Sequence, residues 1–240
     1  MFSNNPLQIS QLLLTALDTR IHVYYPDRIP GDSSVLVISN HRSFMDAPLL
    51  MAALGRSVHF ACHHYMGQVP ILRELITRMG CFPLDAPGER EHHFFRQATQ
   101  LLQARQVVGV FPEGASPMVR PTLPDQMGAF HRGFAHLAMR APVNDLAVLP
   151  VAIASNEEVS SVGIPLRLLS LFDPSEPLFA KDDWHPMVIY KRVSVLIGRP
   201  QWISLSQRET YQGKQARALV TELTQQCHAE IDHLLRLGCE

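Results

Sequence analysis

The residues best suited to chemistry are His41 and Asp46, a His-x4-Asp pair that begins three residues after an apolar run at residues 35–38. A histidine held by a carboxylate is the usual equipment of a general base. A second motif, Phe111-Pro112-Glu113-Gly114, follows another apolar run at residues 107–110. Because the carboxyl ends of parallel strands lie at one edge of a sheet, the two motifs are predicted to contribute to one site.

The His-x4-Asp spacing is by itself a weak signal, because His22 and Asp27 repeat it earlier in the chain. Asp27 opens a loop rich in Pro and Gly, whereas His41 lies just past a predicted buried strand. The end of a buried strand is where an α/β fold exposes polar groups. The context therefore favours the second pair as the chemical one.

A strand-to-helix turn is needed to bring His41 and Asp46 together, since residues five apart on a continuous helix point about 140° away from each other. Asn40 or Ser43 is expected to cap the helix that follows. Asp46 could then bind one imidazole nitrogen of His41 and leave the other basic.

Phe-Pro-Glu-Gly is the more specific motif, since four consecutive residues define it. Pro112 is expected to end its strand, and Gly114 permits a sharp turn. Glu113 is therefore predicted to project from the strand end into the site. The alternative is a purely structural turn with a solvated Glu113.

Apolar runs alternate with helical patterns along the chain, which predicts an α/β fold: a mostly parallel central sheet flanked by helices. The predicted strands cover residues 35–39, 58–62, 80–84, 107–111, 147–154 and 193–197, with a less regular one at 166–172. The predicted helices cover residues 46–54, 70–78, 89–104, 130–140 and 208–237.

The length of 240 residues predicts one domain. We expect a helical lead-in at residues 1–30, a catalytic core at 31–200 and a C-terminal helix at 201–240. In the lead-in, apolar residues recur at i+4 between residues 7 and 21 and predict an amphipathic helix. That helix either covers the core or lies on a bilayer.

Composition excludes several classes of protein. A formal net charge of -1 argues against nucleic-acid binding. The four cysteines form no C-x-x-C pair, and the nearly adjacent Cys62, His63 and His64 do not converge as metal ligands would, so no metal is expected. No run of about 20 apolar residues predicts a transmembrane helix, and no signal peptide is visible, so a cytoplasmic location is expected.

At these motifs the chain resembles the glycerolipid acyltransferases, the family of 1-acylglycerol-3-phosphate acyltransferase. Asn40-His41-x4-Asp46 is similar to the first sequence block of that family, and Phe111-Pro112-Glu113-Gly114 to the third. The remaining blocks follow in the family's order, at residues 80–85, 131–135, 148–153 and 195–200.

Two departures from the family concern its phosphate-binding arginines. Ala86 stands where the second block usually has Arg, and Ala115-Ser116-Pro117 stands where the third usually reads Thr-Arg-Ser. Arg is the side chain suited to bidentate phosphate contact. Arg90 and Arg120 lie nearby and are the candidates to replace the missing arginines.

The resemblance implies an O-acyltransferase in which His41 is the general base and Asp46 orients it. Glu113 and Gly114, with Arg90 and Arg120, would bind the acceptor, while Asn40 and Pro112 would shape the turn and the oxyanion site. It also implies an acyl-CoA or acyl-carrier-protein donor, no cofactor, a lysolipid acceptor and peripheral attachment to a membrane surface.

Besides a metal-dependent hydrolase that would use the histidines, two alternatives stay open at this point. The first is an acyltransferase for an acceptor without phosphate, such as a glycolipid, an aminolipid or a terpenoid alcohol. The second is a lipid-binding protein without turnover on the same fold. The sequence fixes neither the acyl-chain length nor the oligomeric state.

Overall fold

The apolar runs of the sequence form the strands of one sheet. A computed structural model describes residues 5–62, 70–83, 90–114, 122–165 and 184–239, together with residues 68, 117 and 167. In these ranges the strands are β1 (Arg20–Tyr24), β2 (Ser34–Ser39), β3 (Val58–Cys62), β4 (Phe82–Pro83), β5 (Val107–Val110), β6 (Leu146–Pro165), β7 (Trp184–Ile197) and β8 (Gln201–Trp202).

The strand order across the sheet is β1-β7-β6-β2-β5-β3-β4, and β8 also pairs with β6. Strands β6, β2, β5, β3 and β4 run parallel, and so do β1 and β7. The β6–β7 and β6–β8 pairs are antiparallel. The prediction of a mostly parallel central sheet flanked by helices is therefore confirmed.

The helices cover both faces of the sheet. They are α1 (Pro6–Ala16), α2 (Asp46–Leu54), α3 (Pro70–Arg78), α4 (Arg90–Gln103), α5 (Gly133–Arg140), α6 (Leu205–Glu209) and α7 (Gly213–Cys239), with a 3-10 turn at Pro26–Arg28. Within the described ranges, no helix combines the length and apolar character needed to cross a bilayer.

Alternate residues of β2 show how the two layers divide the core. Leu36 and Ile38 pack with residues of α4, α5 and α7 in one buried cluster. Val35 and Val37 pack with residues of α1 and α2 in the other. Since successive strand residues point to opposite faces, both faces of β2 are buried, and its unbroken apolar sequence follows from that burial.

The predicted N-terminal helix is shorter than residues 7–21. It ends at Ala16, Asp18 takes a left-handed φ of 54°, and Ile21 belongs to β1. Pairing with β7 satisfies the backbone of this segment. Ile21 still packs against the same apolar cluster as Leu14, so its hydrophobicity fitted either structure. The lead-in thus contributes a strand as well as a helix.

Strands β6 and β7 extend beyond the predicted segments at 147–154 and 193–197, and pair from Val151↔Ile197 to Pro165↔Trp184. The outer part of this pairing, from Ser155↔Val193 to Pro165↔Trp184, is called the β6–β7 arm below. Polar residues such as Asn156, Glu157 and Ser160 are exposed there, so its sequence shows little hydrophobic pattern. Of the predicted strand at 166–172, only residue 167 is described.

Three further boundaries differ from prediction. The strand expected at 80–84 is described only as the two residues of β4, and residue 84 lies outside the described ranges. The helix expected at 130–140 begins at Gly133. The long C-terminal helix begins at Gly213, after β8 and the short helix α6, whose start is fixed by a capping box between Ser204 and Gln207.

Candidate active site

His41 and Asp46 meet where β2 passes into α2. The Nδ1 atom of His41 lies 2.7 Å from Oδ2 of Asp46. Asp46 is the first residue of α2, and His41 lies in the turn before it, which is the strand-to-helix arrangement that the spacing required. The Asp46 side chain is 1% exposed and that of His41 is 24% exposed. A buried carboxylate therefore supports an imidazole that solvent can reach.

The contacts of Asp46 define which imidazole nitrogen carries a proton. Oδ2 accepts the backbone N–H of Arg42 at 2.7 Å and that of Ser43 at 2.8 Å, and Oδ1 accepts the hydroxyl of Tyr190 at 2.9 Å. Because an ionised carboxylate only accepts hydrogen bonds, we assign the proton of His41 to Nδ1. The Nε2 atom is then the basic one.

Asn40 and Ser43 have roles other than the expected helix cap. The side-chain amide of Asn40 donates to the carbonyl of Ile153 at 3.0 Å and accepts its N–H at 2.9 Å, which ties the end of β2 to β6. The hydroxyl of Ser43 donates to Val188 O at 2.6 Å. Met45 is the N-cap residue of α2 and makes no side-chain cap bond. Neither Asn40 nor Ser43 is therefore the N-cap residue that was expected, although Ser43 Oγ accepts the backbone N–H of Met45 at 3.1 Å just before the helix.

Two phenyl rings, those of Phe111 and Phe60, stack in sequence against the imidazole of His41. Phe111 stacks on His41 with ring centroids 4.3 Å apart, and Phe60 stacks on Phe111 at 4.9 Å. Gly109 makes room for this stack, because a Cβ there would lie 2.1 Å from the Phe60 ring. Phe111, the first residue of the Phe-Pro-Glu-Gly motif, thus sets the plane of the imidazole.

Glu113 is buried, with 2% of its surface exposed, rather than projecting into solvent. Its Oε1 accepts the backbone N–H of His41 at 3.0 Å, and its Oε2 accepts that of Gly128 at 2.6 Å. Gly114 follows with a left-handed φ of 65°, and its N–H donates to Phe111 O. Glu113 therefore joins the two motifs to each other, while its predicted contact with an acceptor stays a prediction.

Arg42 crosses from the motif to the β6–β7 arm. Its guanidinium makes two hydrogen bonds to Glu158, at 2.8 and 2.9 Å, and one to Thr122 O at 3.0 Å. Burial would lower the pKa of Arg42, but the Glu158 carboxylate outweighs it and the pKa is raised. Burial would likewise raise the pKa of Glu158, but the Arg42 hydrogen bond outweighs it and the pKa is lowered. Both groups are therefore charged at neutral pH.

A comparison with protein families gives a match over more than half of the chain. A family model described as Acyltransferase matches residues 20–154, which include both motifs. The chain belongs to the acyltransferase family. A comparison with curated proteins finds no match.

A solved structure agrees with this family at the level of the fold. The chain is similar to the crystal structure of the 1-acyl-sn-glycerophosphate (LPA) acyltransferase PlsC from Thermotoga maritima, with a TM-score of 0.60. The sequence identity is 18%, and the match covers 96% of this chain and 77% of that chain. The acyltransferase resemblance drawn from the motifs is confirmed.

The predicted phosphate-binding positions of this acyltransferase are only partly described. Arg90 is the first residue of α4, and Arg120 lies outside the described residues, as do Ala86 and Ser116. Their proximity to His41 stays a prediction. Cys62 ends β3, and the neighbouring His63 and His64 also lie outside.

Two neighbours of the pair escaped the sequence analysis. Tyr190, which binds Asp46, and Glu158, which binds Arg42, come from the β6–β7 arm more than a hundred residues downstream. Neither lies in a recognisable motif. Their positions follow from the antiparallel register Glu158↔Tyr190, so only knowledge of strand pairing could have found them.

Proposed function

We propose that this acyltransferase moves a fatty acyl group from an acyl thioester to a hydroxyl of a lysolipid such as 1-acylglycerol-3-phosphate. The donor in this proposal is acyl-CoA or acyl-carrier protein. The observation that carries the proposal is the 2.7 Å contact between His41 Nδ1 and the buried carboxylate of Asp46. That contact leaves a single basic nitrogen on a partly exposed ring, which is what deprotonation of a bound alcohol needs.

In the proposed reaction, Nε2 of His41 removes the proton of the acceptor hydroxyl as its oxygen attacks the thioester carbonyl carbon. Asp46 stabilises the imidazolium that forms, in the way that the carboxylate of a serine triad does. Phe111 offers its ring face to the same cation at 4.3 Å, which adds a cation–π contribution.

Collapse of the tetrahedral intermediate breaks the carbon–sulfur bond and completes the proposed transfer. The thiolate leaves with the proton that His41 holds, and the imidazole returns to its neutral form. A thiol is a good leaving group, so one base is enough for both steps. The acyl group passes directly to the acceptor oxygen, because the hydroxyl of the motif, on Ser43, is buried and donates to Val188 O at 2.6 Å.

Glu113 supports this chemistry through the backbone. Its two oxygens hold the N–H groups of His41 and Gly128, so it fixes the base relative to the loop that follows the second motif. Oxyanion stabilisation requires N–H groups without an internal acceptor. Those of Arg42, Ser43 and Gly114 already have acceptors, so the proposal assigns the oxyanion site to none of them.

A second candidate function is acyl transfer to an acceptor that lacks phosphate. It is favoured by Ala86 and Ser116, which stand where related enzymes carry phosphate-binding arginines. Glycolipids, aminolipids and terpenoid alcohols belong to this class of acceptor. In either case the acceptor is lipid-soluble, so we propose that the protein acts while attached peripherally to a membrane.

The test is acyl transfer by the purified protein, measured by mass spectrometry in detergent and on vesicles. The donors are acyl-CoA and acyl-carrier-protein thioesters of several chain lengths, and the acceptors are lysolipids with and without phosphate. His41→Ala is the test variant, and His22→Ala is its matched control, because it removes a histidine from the other His-x4-Asp pair.

We expect transfer by the wild type and by His22→Ala, and a rate lower by about 10²- to 10⁴-fold for His41→Ala, the usual contribution of a general base. Product from lysophosphatidic acid would support Arg90 and Arg120 as replacements for the missing arginines. Product only from acceptors without phosphate would support the second candidate. Absence of product from every donor and acceptor would contradict both and favour a lipid-binding protein.

A further inference from the structure

A third side chain completes the His41–Asp46 pair from strand β7, within the same buried cluster as α2. Tyr190 lies on β7, is 1% exposed, and donates its hydroxyl to Oδ1 of Asp46 at 2.9 Å. The opposite oxygen of the same carboxylate binds His41. The three groups therefore form one continuous chain from Tyr190 through Asp46 to the ring whose Nε2 faces away from it.

The backbone of Tyr190 is fixed independently of its hydroxyl. Its N–H contacts Sδ of Met45 at 3.4 Å, and its carbonyl accepts the hydroxyl of Thr19 at 2.9 Å. Strand pairing places it opposite Glu158. Because a buried group with these anchors has little freedom, its hydroxyl is held against Asp46 in advance of any reaction.

The hydroxyl of Tyr190 is a permanent donor. Burial, and next the negative charge of Asp46, raise the pKa of Tyr190 well above its ordinary value. The phenol therefore keeps its proton throughout the pH range in which a histidine titrates. A neutral donor on a buried carboxylate stabilises the ionised form of that carboxylate.

We propose that Tyr190 is a positioning residue that sets the proton affinity of the His41–Asp46 pair, and that the active form of the base persists to lower pH because of its hydroxyl. The inference rests on the proposed role of His41 as general base. It adds a residue of the β6–β7 arm to the machinery of acyl transfer.

The direction of the effect follows from the charge of the pair. The active pair, ionised Asp46 with neutral His41, has a net charge of -1, and it becomes neutral when it takes up a proton. The two groups titrate as a unit. Asp46 stays ionised in both forms, but the positive end of the Tyr190 hydroxyl opposes the charge of the imidazolium. The donor therefore lowers the apparent pKa of the unit, and removing the hydroxyl raises it.

Other charged groups face the pair but stay in place when Tyr190 is changed. Arg42 and Glu158, which also act on Tyr190, bind each other through two hydrogen bonds. Glu113 is engaged by the backbone N–H groups of His41 and Gly128. A change confined to the phenol oxygen therefore isolates its contribution.

The experiment compares pH profiles of kcat/KM for the wild type and Tyr190→Phe, with Tyr211→Phe as the matched control. Tyr211→Phe likewise removes a hydrogen-bonded phenol hydroxyl, whose oxygen lies 2.6 Å from Nδ1 of His136, but Tyr211 lies outside the proposed site. In Tyr190→Phe the acid limb should move to higher pH by less than about one unit, because the lost hydrogen bond to Asp46 is made in both protonation states and only its difference between them counts. Tyr211→Phe should leave the limb in place.

Two further measurements separate this inference from the proposed function and from a loss of packing. The first is an NMR titration of the His41 ring, assigned with His41→Gln, which needs no turnover and should show the same upward shift in Tyr190→Phe. The second replaces Tyr190 by 3-fluorotyrosine, a stronger donor of similar size, which should shift the midpoint to lower pH.

A rate reduced by the same factor at every pH, with an unchanged His41 midpoint, would overturn the inference and leave Tyr190 as a packing residue. Shifts of the midpoint in the same direction for the Phe and fluorotyrosine variants would also overturn it. An inactive wild type with the predicted NMR shifts would instead contradict the proposed function alone.

Discussion

Four residues separate His22 from Asp27, and four also separate His41 from Asp46. His22 lies on the edge strand β1, Asp27 is the middle residue of the 3-10 turn Pro26–Arg28, and both are exposed. No hydrogen bond or ion pair joins them in the described part of the chain. His41 and Asp46, in contrast, meet at 2.7 Å.

The difference between the two regions lies in what surrounds the turn. Around Asp46, two backbone N–H groups and a tyrosine hydroxyl converge on one buried carboxylate. The pair at residues 22 and 27 lies at the sheet edge, where water competes for every polar group. Identical residues at identical spacing thus become a candidate base only where burial and internal donors hold the carboxylate.

The largest difference in transfer rate between the two regions is expected when the charge of each carboxylate is removed. Asp46→Asn replaces an acceptor of several hydrogen bonds with an amide and disfavours the required tautomer of His41, so transfer should fall by about as much as in His41→Ala, up to about 10⁴-fold. The buried mismatch should also lower stability by about 1–3 kcal/mol. Initial rates and thermal melts measure the two effects.

Asp27→Asn is the control for that substitution. It makes the same chemical change at an exposed position, so it should alter stability by less than about 0.5 kcal/mol and leave the rate unchanged. Similar rate losses in both variants would mean that the contact seen at Asp46 has no special part in the reaction.

A smaller difference in rate and stability is expected from replacing one glycine near each pair with alanine. Gly109→Ala places a methyl group against Phe60, which must push Phe111 and the His41 ring that stacks on it. We expect a loss of about 1–3 kcal/mol, typical of overpacking, with a parallel loss of rate. Denaturant unfolding and kcat/KM provide the measurements.

Gly31, close to Asp27, is the matched site for this comparison. A Cβ at Gly31 would have no heavy atom within 4 Å, so Gly31→Ala should leave rate and stability nearly unchanged. If Gly109→Ala kept full activity despite its loss of stability, the ring stack would be irrelevant to the orientation of the base.

The smallest expected effect concerns the Arg42–Glu158 bridge, which only the first region has. Glu158→Gln removes the charge of the partner but keeps a carbonyl acceptor for the Arg42 guanidinium, so it should cost only about 1 kcal/mol at pH 7. The pKa of Glu158 is lowered in the folded protein from its ordinary value of 4.5. Its stabilisation is therefore present above pH 4.5 and is lost as the pH falls through the lowered value.

The stability gap between wild type and Glu158→Gln should accordingly narrow below pH 4.5, because the glutamate protonates while the glutamine does not change. Melts at a series of pH values measure this gap. A gap that stays constant from pH 7 to pH 3 would mean that the bridge contributes through packing and not through charge.

Local patterns were sufficient to predict much of the fold. The boundaries predicted for α2 and α3 agree with the structure, because apolar periodicity and flanking Gly or Pro act within a few residues. The end of α1 was predicted wrongly, since Ile21 packs in the same cluster whether it lies in a helix or in β1. The arm of β6 and β7 was underestimated because its polar outer residues satisfy their backbone only through each other.

The sequence by itself determined the family motifs, the alternation of strands and helices, and the choice of His41 and Asp46 over His22 and Asp27. These features depend on residue types within short windows. The tertiary structure alone decided that Glu113 joins the two motifs and that Tyr190 reaches Asp46 from a strand 144 residues away. Such contacts depend on strand order and register, which long-range packing sets and no local pattern encodes.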